Sequence, residues 1–204
     1  MVAGMDQLRH QLSLVLACLV PAACGGEGQA ASRSPAPTHV DSVVPQAVEL
    51  AQFRDGLIEP TELSGGAASR DALVRRYVTA LERADTSGLA ALAITRAEFA
   101  YLYYPTNPEA LPPYDLSPGL MWFMLEQNSQ KGLVHALQDR GGRPLAYEGY
   151  RCDATSSQQG ANTVWGPCLV LHRQPGGDVV EERLFALILE RQGRFKFVSL
   201  ANKL

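Results

Sequence analysis

The chain has 204 residues, enough for one main domain at about 100–200 residues per domain. Its apolar fraction of 46% and charged fraction of 19% exclude a chain disordered throughout, and also the collagen-like, coiled-coil and multi-span membrane classes. With 18 basic against 21 acidic side chains the formal charge is −3, so the basic excess that a nucleic-acid backbone demands is missing and no nucleic-acid partner is expected. The first segment, residues 1–23, is built like a secretory signal. Arg9 follows the amino terminus, the apolar run Leu12 to Val20 is too short for a permanent membrane span of about 20 residues, and small residues close it at Ala22 and Ala23.

Pro21-Ala22-Ala23-Cys24 resembles the lipobox of bacterial lipoprotein precursors. The resemblance implies cleavage before Cys24, a lipid such as palmitate on its sulfur, and attachment to a membrane through that anchor. A plain cleaved signal with Cys24 incidental is the alternative. Residues 24–45 follow as a flexible tether: Gly25-Gly26, Ala30-Ala31-Ser32 and Ser34-Pro35-Ala36-Pro37 carry no apolar period and bury too little to offset their ordering entropy. The expected location is therefore outside the cytoplasm, on the outer membrane or cell surface, with the domain facing the periplasm or the exterior.

Residues 46–204 read as a single α+β domain with its core over about 69–204. Val48, Leu50 and Phe53 can form one helical turn. Ser69 is an N-cap, and Leu73, Val74, Tyr77, Val78 and Leu81 recur at helical spacing behind it. Leu89 to Ala93 reads as a short helix, and Arg96 to Tyr104 as its resumption or, over Phe99–Tyr104, as a strand. Prolines 105, 108, 112 and 113 demand a loop. Ser117-Pro118 restarts a helix that Gly141-Gly142 stops, with a kink allowed at Gln127-Asn128-Ser129 and Gly132. Leu145–Asp153, Val164–Arg173, Leu184–Glu190 and the segment from Phe195 then read as antiparallel strands, giving helices on one face of a sheet.

Cysteine usage agrees with export. Once Cys18 leaves with the signal and Cys24 takes the lipid, Cys152 and Cys168 remain as an even pair on consecutive strand-like runs, so a disulfide is expected. Free thiols are the alternative. A metal site is not expected, because Cys168 and His172 on one strand lie about 13 Å apart.

A helix from Ser69, a helix from Ser117 and strands ending in Arg183–Glu190 and Arg194–Val198 resemble the nuclear-transport-factor-2-like superfamily, the cone-shaped, cystatin-like fold of SnoaL-like proteins. The resemblance covers about residues 69–204. It implies a curved antiparallel sheet wrapped around helices and a cavity at the open end of the cone. Its members include isomerases, dehydratases, cyclases and non-catalytic binding modules, and fold does not decide among them.

No catalytic residue is assigned and no cofactor is expected. Gly26-Glu27-Gly28 lies in the tether, and the chain has neither a phosphate loop nor a His-Glu-x-x-His helix. His135 and His172 read as surface or core-edge residues. Aromatic residues crowd one region, and Tyr101, Tyr104, Trp122 and Tyr147, with the carboxylates Glu98 and Glu148, are the candidate pocket; Glu126 lies near them in sequence. The expectation is a lipid-anchored module binding a small apolar ligand or another envelope protein. An isomerase- or hydratase-like enzyme using a pocket carboxylate and a Tyr, and a structural or assembly lipoprotein, are the alternatives.

Overall fold

The computed structural model describes residues 44–202. The expected signal segment 1–23, Cys24 and all of the expected tether but its last two residues lie outside the described residues. Helix α1 (Gln46–Arg54) opens the described chain. Helix α2 (Arg70–Glu82) starts where Ser69 Oγ accepts from the Ala72 amide at 3.0 Å, and it buries Leu73, Val74, Tyr77, Val78 and Leu81 as their spacing predicts. Helix α3 (Thr86–Ala90) is capped by Asp85, whose carboxylate accepts from the Gly88 amide; that bond and the Ser87 hydroxyl hold its pKa below the ordinary value.

The strand considered over Phe99–Tyr104 is not formed. Thr95 and Glu98 make a capping box, which starts helix α4 (Arg96–Glu98) and commits the backbone to helical dihedrals. The chain then continues as a π-helical turn, Phe99–Tyr103, and two 3-10 turns, Tyr104–Thr106 and Pro108–Ala110. Phe99, Ala100, Leu102, Tyr103 and Tyr104 are all buried, a pattern without strand alternation. Helix α5 (Pro118–Arg140) runs unbroken for 23 residues, about 34 Å, and neither Ser129 nor Gly132 interrupts it.

Seven strands follow in two antiparallel sheets. They are β1 (Tyr147–Cys152), β2 (Ser157–Gln159), β3 (Asn162–Trp165), β4 (Cys168–Arg173), β5 (Val179–Glu182), β6 (Ile188–Arg191) and β7 (Arg194–Phe197). One sheet has the order β1-β4-β5 and the other β2-β3-β6-β7. The long strand expected over Val164–Arg173 is two strands. Pro167 has no N–H for the ladder and Gly166 has φ +132°, so the chain turns out of one sheet and into the other between Trp165 and Cys168. The strand expected from Leu184 enters its ladder only at Ile188, although Ala186 still donates to the Ser199 carbonyl at 3.1 Å. Cys152 and Cys168 stand opposite each other on β1 and β4 and form the expected disulfide.

The inner part of the four-stranded sheet, β3, β6 and β7, packs on both faces, while β2 is largely exposed. Trp165, Ile188, Phe195 and Phe197 face one core, with α2 and the three-stranded sheet beyond it. Val164, Leu189 and Val198, their alternating neighbours, face a second core built on Phe99, Leu102, Tyr103 and Tyr104. Helices therefore cover both faces of this sheet, not one. Helix α5 spans the two cores: Met121, Trp122 and Leu125 belong to the second, and Leu133, Ala136 and Leu137 to the first. At the centre of the first core the Tyr77 ring meets Phe185 and Phe197 edge-on, and its hydroxyl donates to the Leu184 carbonyl at 2.7 Å.

Candidate functional site

The six residues expected to form a pocket do not meet at one place. Tyr104 and Trp122 both pack on the Phe99 ring inside the second core, and the Tyr104 hydroxyl donates to the Leu116 carbonyl at 2.7 Å. Tyr101 lies at the rim of that core under the Arg54 guanidinium, 4.4 Å from its ring centroid. Tyr147 packs against the first core instead, near Arg75. Glu148 is exposed and pairs with Arg173 at 2.9 Å, and Glu126 is exposed as well. The reason is local: β1 belongs to the sheet away from the second core, and Glu148 is the extra residue of a bulge between Tyr147 and Gly149, left without a partner on β4.

Glu98 is buried, at 1% exposure, but it is fully engaged. Its Oε1 accepts from the Ser64 amide at 2.6 Å, and its Oε2 accepts from the Thr95 amide at 2.7 Å and from Lys196 Nζ at 2.8 Å. Lys196 is itself 2% exposed. A carboxylate with three donors, one of them an ammonium, ties the backbone at Ser64 and Thr95 to β7.

The cleft with room for a ligand lies elsewhere, between the first half of α5 and the end of the four-stranded sheet, with a volume of about 670 Å³. Met121, Met124, Leu125 and Asn128 line it from α5 at i, i+3, i+4 and i+7, so they share one helical face. Opposite them stand Leu187, Val198 and Ala201; Tyr103 and Pro108 close one end. Most of this lining is apolar. The polar residues of the lining are Asn107, Glu109, Asn128, Gln159, Arg183 and Ser199. The Asn107 carboxamide accepts from the Glu109 amide at 2.8 Å, while Gln159 Oε1 is buried without a partner. Burial, with the nearby negative charge of Glu109, pushes the Tyr103 phenol up to about 12, so it remains a neutral donor through the physiological range.

Sequence reasoning looked for aromatics and passed over this face of α5. The usable signal was methionine. Of the four in the chain, Met1 and Met5 stand at the amino-terminal end of the sequence and the other two, Met121 and Met124, are both in the cleft. Flexible, polarizable thioethers suit a surface that must adapt to a ligand.

A second, smaller cavity of about 420 Å³ is bordered by Arg140, Arg143, His172 and Arg173. Three of these four side chains are held by carboxylates, and Arg143 donates to the Asp139 carbonyl. Glu182 Oε2 lies 2.9 Å from both His172 Nε2 and the Arg140 guanidinium, and Arg173 is held by Glu148. Among the described residues no group of three His, Cys, Asp or Glu side chains could hold a metal ion, and no helix is long and apolar enough to cross a membrane. No protein family, curated protein or solved structure matches the chain.

Proposed function

We propose that the chain is an exported, lipid-anchored and non-catalytic binding module, and that its ligand occupies the cleft under α5. The observation that carries this reading is the cleft itself. Its volume of about 670 Å³ lies within the roughly 300–1,000 Å³ of small-molecule sites, and an apolar wall with a few polar groups at the edge is their usual composition. Glu98, the buried carboxylate an enzyme would most readily use, is committed to Ser64, Thr95 and Lys196, which favours binding over turnover. The disulfide supports an oxidising compartment. The order of helices and antiparallel strands supports membership in the nuclear-transport-factor-2-like superfamily as a further proposal. The anchor rests on Cys24 and the resemblance of the residues before it to a lipobox.

Two measurements test the reading. Replacing Cys24 by Ala moves the protein from the membrane to the soluble fraction; retention on the membrane rules the anchor out. Melting the protein against a panel of lipids, sterol-like compounds, sugars and small acids yields a stabilising ligand, by about 2.7 kcal/mol at 100 times its dissociation constant. Met124→Asp abolishes that shift and leaves the unliganded melting temperature nearly unchanged, because Met124 is already partly in water. A second reading, an assembly lipoprotein docking a protein partner, draws on Leu111, Tyr114, Leu120 and Phe123, which are exposed in and around the start of α5. A panel without any hit favours it.

A further inference from the structure

We infer that the cleft selects an amphipathic anion, with the apolar body of the ligand along Met121, Met124, Leu125 and Leu187 and its carboxylate on Arg183. This rests on the reading of the cleft as the binding site and specifies what it takes. Five arginines are half-buried among the described residues: Arg54, Arg70, Arg140, Arg183 and Arg191. Four of them have a partner. Arg54 donates to the Ala100 carbonyl, Arg70 lies over the Trp165 ring, Arg140 pairs with Glu182, and Arg191 donates to Asn162. Arg183 has no hydrogen bond, ion pair or ring contact among the described residues, and it is the one of the five that lines the cleft.

Its sequence neighbours make the isolation sharper. Glu181 and Glu182 are the nearest carboxylates along the chain, and both are committed, Glu181 to Arg151 and Glu182 to Arg140 and His172. Glu109 also borders the cleft, but it is exposed, stays hydrated and makes no ion pair with Arg183. A guanidinium is charged at every accessible pH and presents a planar fork of donors that matches a carboxylate. Partly withdrawn from water and left without a counter-charge, it lowers the free energy of a ligand that brings one. The apolar walls supply the rest and demand a hydrocarbon or ring system behind the head group.

The test uses the purified, oxidised Cys24→Ala chain, which carries no lipid, in detergent-free buffer at neutral pH, titrated calorimetrically with decanoate, decanol and decyltrimethylammonium, three probes with one chain and three head groups. The expected result is decanoate binding at least about 10-fold tighter than decanol, with the cationic probe weakest, since a hydrogen-bonded charge is worth more than a neutral donor pair. In Arg183→Gln the decanoate and decanol affinities converge to within about twofold, and decanol still binds, which shows that the cleft is still formed. Equal affinities for decanoate and decanol in the wild type, or a decanoate preference that survives in Arg183→Gln, overturns the role of Arg183 and leaves the cleft as a binding site. Failure of all three probes to bind overturns the reading of the cleft itself, and this inference with it.

Discussion

Lys196 sits on the inner face of β7 between Phe195 and Phe197, at a register where the sequence alternation assigns it to the side opposite those rings. That side is the second core, and an ammonium there is tolerable only because Glu98 meets it. Desolvating two charges is costly, and a pair this deep owes its place to good geometry and to the amides of Ser64 and Thr95 that satisfy the remaining lone pairs. Removing either partner strands the other. Glu98→Gln and Lys196→Met are each expected to lose about 3–5 kcal/mol, and the double variant is expected to lose much less than the sum. Urea unfolding of the four proteins measures this; additive losses would show that the two charges do not depend on each other. Part of Glu98's environment was legible, since Thr-x-x-Glu is a capping box by spacing alone. The pairing with a lysine 98 positions away was not, because no local pattern encodes a contact that only the sheet brings about.

Helix α2 followed directly from its period and its Ser69 cap, as α5 did from Ser117-Pro118 and the glycines after it. The segment after Thr95 was harder, because the unbroken apolar and aromatic run Phe99–Tyr104 suits a strand and a tightly wound turn equally well, and packing made the choice. Likewise the break at Gly166-Pro167 was visible as residues but not as a change of sheet. Gly132 is the instructive case. By propensity it weakens α5 by about 1 kcal/mol relative to Ala. Its place is set by proximity: an added Cβ would overlap the Leu200 carbonyl, and Asn202 donates to the Gly132 carbonyl at 2.9 Å while Ser129 Oγ accepts from the Leu200 amide at 3.1 Å. Gly132→Ala is therefore expected to destabilise by about 1–3 kcal/mol, the overpacking penalty exceeding the gain in helix propensity. Because Val198, Ser199 and Ala201 form one wall of the cleft, the same variant should also weaken ligand binding. Thermal melting with and without ligand separates the two effects, and a melting temperature raised by the alanine would contradict the close approach.

At the scale of the molecule, the α+β class and the disulfide were readable, since order of periods and parity of cysteines are global properties of a sequence. The division into two sheets and two cores was not, because it depends on which strand pairs with which. The bridge between β1 and β4 closes a loop of 16 residues, worth about 3 kcal/mol through the unfolded state. Cys152→Ser with Cys168→Ser should lower stability by about that much, read as a shifted urea midpoint, and reductant should then have no further effect on the variant. The three-stranded sheet should loosen first, whereas β3, β6 and β7 of the four-stranded sheet, sealed between helices on both faces, should keep the slowest-exchanging amides. That sealing has an evolutionary consequence for the ion pair at its heart. A domain of this size holds a reserve of about 5–15 kcal/mol, and a lineage that altered only one member of the pair would surrender a large part of it at one step. Positions 98 and 196 are thus expected to drift together, the charges inherited jointly or exchanged jointly for hydrocarbon, with single replacements surviving only where stability has first been raised elsewhere.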